Sequence, residues 1–168
     1  MDIPDEHPTF AEPSADIVVC ASDNVHFKLH KIILALASDF FKDMFGLPQP
    51  SEPSSGPSQN FSDPSVVLER LFRLCYPMDD PPLGDLNSIT STLEAALKYD
   101  MKEATKIMQR RLMEYADIAP LSVYAVACRL SLEEVAASAA NETFLQGMQL
   151  EYTKELETIP AGAYHRLL

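Results

Sequence analysis

Four histidines, three cysteines and 25 acidic residues are the side chains of this 168-residue chain that could do acid–base, nucleophilic or metal chemistry. Their spacing does not assemble any of it. His26 and His30 are four apart, but the first falls in an alternating β pattern and the second at a helix start, so they do not form a metal-binding helical pair. Cys20, Cys75 and Cys128 sit at wide spacings inside apolar runs. An odd number without CxxC pairing argues against a disulfide framework and a zinc site, and for buried thiols in a reducing compartment. Asp79-Asp80 lies in a proline turn and reads as solvated charge. The sequence contains no GxSxG, no HExxH and no glycine-rich phosphate loop. It reads as a chain that is not an enzyme, with no catalytic residue, no metal and no cofactor. What remains is the chemistry of recognition: Asp16 and Lys31 flanking a hydrophobic segment, and Phe40, Phe41, Met44 and Phe45 crowded together. A basic run of Lys102, Lys106, Arg110 and Arg111 joins them on an otherwise acidic chain.

Those residues must be positioned by particular elements. Residues 16–20 (DIVVC) form a short β-branched run, and residues 25–29 (VHFKL) alternate at period two around the turn cluster Ser22-Asp23-Asn24. That pattern predicts a β-hairpin with one buried face. From His30 the period becomes helical through Ile32, Ile33 and Leu36. Ser38 is placed to cap a second helix bearing Phe40, Phe41, Met44 and Phe45. Four large apolar residues in adjacent helical positions cannot all face one core, so part of this surface should be covered by another subunit or partner.

Residues 1–13 read as a flexible acidic leader, and residues 46–64 as a Pro/Ser-rich loop insertion with a strand remnant at residues 60–62. Asp63-Pro64 is expected to open a helix, and Val67, Leu68, Leu71, Phe72 and Cys75 give it an apolar face. Leu86, Ile89, Leu93, Ala96 and Leu97 predict the next helix. Asp100 to Glu103 has capping-box spacing for a third, and residues 131–134 (SLEE) for an alanine-rich one beyond Pro120. The alanines of that pair should let two helices pack closely. A weaker helix through Leu150, Leu156 and Ile159 follows.

The order Asp16, Phe27, His30, Lys31, Leu34, Ala35, Ser38, Phe40, Phe41, Met44, Phe45 resembles the opening of BTB/POZ domains. Residues 71–77 (LFRLCYP) and 93–101 (LEAALKYDM) are similar to later landmarks of that family in its fungal form. The resemblance implies an α+β fold, a small β-sheet capped by a cluster of short helices, over residues 14–115, with residues 116–168 as a helical extension. It implies a protein–protein interaction module that forms homodimers, or an adaptor subunit of a cullin-RING ubiquitin ligase. It also implies a charged pocket at the subunit interface built from Asp16 and Lys31; the other reading is that Asp16 caps or pairs within its own subunit. Cullin-binding members carry a hydrophobic-x-Glu signature after the second helix, where this chain has Gln49. The stripe of Lys102, Lys106, Arg110 and Arg111 reads either as the solvated face of its helix or as a docking edge for an acidic peptide or for the chain's own acidic leader.

Composition narrows the partners. With 25 acids against 13 bases the net charge is −12, which repels a polyphosphate backbone, so nucleic-acid binding by this segment is not expected. No run approaches the roughly 18 consecutive apolar residues of a membrane span. The expected setting is intracellular, and the expected partners are a second copy of the chain or another protein.

Overall fold

The computed structural model describes residues 5–47, 58–147 and 152–167. By internal contact the chain divides into two compact units, Met1–Pro82 with Ser91–Thr105, and Leu83–Thr90 with Lys106–Leu168. The expected boundary after residue 115 does not coincide with this division, because two helices contribute residues to both units.

The first unit is built on the hairpin. Strands β2 (Ile17–Cys20) and β3 (Val25–Leu29) are antiparallel, with Ile17 opposite Leu29 and Val19 opposite Phe27. Period-two alternation puts these four on one face, and all four are buried. Asn24 takes the left-handed φ of 65° that the tight turn requires, a conformation asparagine tolerates better than most residues. The sheet has the order β1-β3-β2-β4.

Strand β1 (Asp5–Ala11) corrects the reading of residues 1–13 as a flexible leader. It runs parallel to β3, pairing Asp5 with Val25 and Ala11 with Lys28, with an irregular stretch between that contains Pro8. An edge strand with proline at a break in its ladder is what the backbone chemistry allows. Phe10 is buried, and His7 stacks on Phe27 with ring centroids 4.7 Å apart. Lys28 pairs with Glu6 at 2.8 Å. Strand β4 (Ser58–Asn60) lies parallel to β2 at the opposite edge, two residues ahead of the expected remnant. Residues 48–57 of the Pro/Ser-rich insertion lie outside the described residues.

Helix α1 (Lys31–Ala37) and helix α2 (Asp39–Gly46) follow the hairpin. Ser38 caps α2 as expected: its Oγ accepts the Phe41 N–H at 3.1 Å and donates to the Tyr99 carbonyl at 2.5 Å. Helix α3 (Ser65–Arg73) buries Val67, Leu68, Leu71 and Phe72. Its cap is not the expected Asp63, whose carboxylate instead takes the Tyr99 hydroxyl and the Lys98 ammonium. Asp23, from the hairpin turn, supplies the cap: the Ser65 N–H donates to Oδ1 at 3.1 Å and the Ser65 hydroxyl to Oδ2 at 2.6 Å. Burial pushes the Asp23 carboxyl up, but the hydrogen bonds from Ser65 and nearby backbone outweigh it and the group titrates below the ordinary carboxylate value. A depressed carboxyl contributes stability above its unfolded value and loses it as pH falls through the folded one. Asp23→Ala is therefore expected to cost about 1 kcal/mol at neutral pH. The variant should also show a shallower loss of stability than the parent below about pH 4. Urea unfolding at pH 7 and pH 3 reads both effects.

Helices α4 (Leu86–Lys98) and α5 (Lys102–Tyr115) are joined by a Schellman motif rather than a capping box. The Met101 N–H donates to the Ala96 carbonyl at 2.9 Å and the Asp100 N–H to the Leu97 carbonyl at 3.2 Å, with Asp100 at φ 46°. Asp100 thus ends α4 instead of starting α5.

The second unit contains the C-terminal helices. Helix α6 (Pro120–Arg129) is buried continuously from Leu121 to Ala127, wider than the single apolar stripe of a surface helix. Helix α7 (Glu133–Leu145) packs on it through Val135, Ala139 and Thr143. The junction repeats the Schellman geometry: Leu132 N–H to Ala127 carbonyl at 2.9 Å, with Ser131 at φ 57°. Ser131 is the left-handed end of α6, not the first residue of a capping box. A left-handed non-glycine residue costs about 1–2 kcal/mol, while glycine adds roughly 0.5–1 kcal/mol of chain entropy. Ser131→Gly is expected to stabilise the chain by about 0.5–1 kcal/mol, raising the thermal midpoint by roughly 1–4 °C. A lower midpoint in a melting experiment would contradict this assignment. A 3-10 turn at Lys154–Thr158 and helix α8 (Ala161–His165) complete the unit, with the Tyr124 hydroxyl donating to the Ala163 carbonyl at 2.6 Å. Of the weaker expected helix, Leu150 lies outside the described residues.

Candidate interaction surface

The apolar crowd of α1 and α2 divides cleanly. Phe41 is fully buried at the centre of a ring cluster, 5.4 Å from Phe40, 5.8 Å from Phe61 and Tyr99 and 6.1 Å from Phe45. Met44 and Phe45 are partly buried and pack on the same core. Phe41 is therefore a core residue, which corrects its place among the expected interface residues. Phe40 keeps 41% of its surface exposed, and its other side leans on Tyr99.

The helical period read through Ile32, Ile33 and Leu36 leaves two of these three residues largely in solvent. Ile32 is 66% and Leu36 81% exposed, one helical turn apart on α1, while Leu34 is the fully buried residue of that helix. Leu47, just past α2, is 65% exposed. A seven-residue helix containing Ile32, Ile33, Leu34 and Leu36 has more apolar side chains than one core-facing stripe can hold. That surplus is the signal available in the sequence; its direction is not. Leu34 packs inward because the chain leaving Leu29 through His30 fixes where α1 starts, and this turns Ile32 and Leu36 to the outside.

Asp16 and Lys31 do meet, but through the backbone. The Lys31 N–H donates to Asp16 Oδ1 at 2.7 Å, so the carboxylate satisfies one of the free N–H groups at the start of α1. The Lys31 ammonium lies 5.9 Å from the centre of the Phe45 ring. Beside this contact the Tyr76 hydroxyl accepts the His30 backbone N–H at 2.9 Å, and the His30 ring reaches Tyr76 and Ser14. These polar contacts fix the base of α1 on the sheet.

The basic run on α5 is largely matched by acids. Lys102 pairs with Asp39 at the first turn of α2, and Asp39 is held below the ordinary carboxylate value by that hydrogen bond and charge. Arg110 and Arg111 both approach Glu114, at 4.0 and 3.2 Å, and Lys106 is exposed. Compensated charge on a solvated helix face is the simpler description of this stripe. The cysteines are free, and burial pushes the Cys75 thiol up to about 12. Among the described residues no cluster of three potential ligands could hold a metal ion, and no helix is long and apolar enough to cross a membrane.

An α+β unit that leaves Ile32 and Leu36 exposed on one short helix offers an apolar face to another protein surface. A model of the BTB/POZ domain family matches residues 10–115, more than half of the chain. The chain belongs to the BTB/POZ domain family, whose domains are protein–protein interaction modules. Among solved structures, the BTB domain of zebrafish PATZ1 is similar at 19% identity, covering 60% of this chain and 76% of that one, with a TM-score of 0.47. Among curated proteins none matches the sequence.

Proposed function

We propose that this chain self-associates as a symmetric homodimer through the outer face of α1 and the adjoining start of α2, and recruits partners in that form. The observation that carries the reading is the exposure of Ile32 and Leu36 on a helix whose base is fixed by Asp16, His30 and Tyr76. In a two-fold interface the same patch meets itself, so a compact apolar stripe is self-complementary without any charge pairing. Phe40, at the start of α2, adds exposed apolar surface to the roughly 800 Å² per partner that a stable dimer covers. Asp16 and Lys31 would then lie at the margin of the interface, where the Lys31 ammonium remains available to a partner's acid.

The solution mass tests the reading. Light scattering behind size exclusion should give close to twice the 18.7 kDa chain mass across a wide dilution range. A mass of one chain at high concentration would sink the homodimer and leave the face to a different protein. A second reading, a cullin-ligase adaptor, is favoured only by the helices α6, α7 and α8 that follow the family-matched segment. A cullin pull-down with the full chain addresses it. Three free cysteines suit a reducing, intracellular setting for either role.

A further inference from the structure

We propose that the cavity at the start of α4 binds a phosphate group. About 310 Å³ in volume, it is lined by the first turn of α4, the end of α6 and the 3-10 turn at Lys154–Thr158, all within the second unit. Thr90 is the residue that points to a ligand. It lines the cavity and keeps only 8% of its surface exposed, and its hydroxyl has no hydrogen-bond partner among the described residues. A threonine inside a helix commonly donates to the carbonyl one turn back, and a buried hydroxyl without any partner is unfavourable. Thr90 makes no such bond.

The other groups left over around the cavity are donors too. At the start of α4, Asp85 Oδ1 accepts the Ser88 N–H at 2.7 Å and the Asp85 carbonyl accepts that of Ile89 at 3.3 Å. The N–H groups of Leu86 and Asn87 have no acceptor among the described residues. They stand at the helix end where the backbone dipole favours negative charge. The Lys154 ammonium makes no ion pair among the described residues, and Arg129 adds a second positive charge to the lining.

The nearby acids are engaged elsewhere. Glu155 accepts the Ser122 hydroxyl at 3.1 Å, Glu157 accepts the Tyr152 hydroxyl, and Asp85 caps α4. What remains is a hydroxyl, two backbone N–H groups, a side-chain amide and two cations, a set that calls for an oxyanion with several acceptor oxygens. A phosphate group presents three such oxygens in diverging directions, so donors from the helix end, from Thr90 and from Lys154 can reach it together. A carboxylate presents only two.

Amide NMR of the full chain, titrated with inorganic phosphate at fixed pH and ionic strength, reads binding at Leu86, Asn87 and Thr90. Their signals should move and saturate with phosphate and stay in place with sodium chloride. Thr90→Val keeps the side-chain shape, removes the hydroxyl, and should weaken binding about tenfold. Without phosphate this variant should melt no lower than the parent, because the hydroxyl it removes has no partner. A threonine needed only for the fold would give the reverse, a lower midpoint with unchanged affinity. Lys154→Gln, on the surface, should weaken binding at an unchanged midpoint, and it decides the matter should Thr90→Val not fold. O-phosphoserine as a second probe separates two sources of the same chemistry. Tighter binding than inorganic phosphate would assign the site to a phosphate ester, and weaker binding to the free ion. Acetate binding as tightly as phosphate would overturn the proposal, as would equal shifts with chloride or an affinity unchanged in both variants.

Discussion

Phe41→Ala is expected to destabilise the first unit by about 3–5 kcal/mol, a large part of the roughly 5–15 kcal/mol that holds a typical domain together. The side chain is fully buried and touches four other rings, so truncation leaves a cavity that rigid aromatic neighbours cannot collapse into. Its backbone N–H is also the group that Ser38 caps, so loosening here reaches the start of α2 and, through Ser38, the Tyr99 carbonyl at the end of α4. The measurement is urea unfolding followed by circular dichroism, with ANS binding as a check for a loosened core. An unchanged midpoint would mean that the ring cluster is not the core of this unit.

Ile32→Asp with Leu36→Asp should do the opposite: leave the fold intact and abolish association. Both side chains are mostly in solvent within one chain, so charging them removes little packing. In a two-fold dimer each substitution enters the interface twice, and a carboxylate buried against apolar surface without a partner costs several kcal/mol. The dimer should therefore weaken by more than about a hundredfold, close to 3 kcal/mol, with the monomer's thermal midpoint unchanged. Sedimentation velocity and a thermal melt on the same sample separate the two effects. Persistence of a dimer in this variant would place the interface elsewhere, even if the parent is dimeric.

The hairpin and its two helices were legible because the hydrophobic period changes at one point and because Ser38 sits at the junction with no competing role. Strand β1 was not. Its sequence, DEHPTFA, contains one large apolar residue and a proline, and it becomes a strand only because β3 offers an edge and the core has room for Phe10. The two capping boxes failed for a shared reason. Asp100 and Ser131 each stand between two helices, and cap preferences alone do not say which helix a residue serves. Geometry resolves both as left-handed ends of the preceding helix. Asp63 was misread for a related cause: a nearby carboxylate fits the cap pattern, but Tyr99 and Lys98 claim it and a residue 42 positions before Ser65 takes the cap. Local sequence rules cannot see a partner that distant. The division of the α1–α2 residues into buried Phe41 and exposed Ile32 and Leu36 likewise depends on tertiary placement, since every one of them is apolar.

Helices α4 and α5 each begin in one compact unit and end in the other, and this sets how the gene can be cut. A fragment stopping at residue 115, where the family match ends, would keep the stretches Leu86–Thr90 and Lys106–Tyr115 while discarding the helices that share their unit. Ile89 and Leu112, both buried in the whole chain, would become sticky ends in expression.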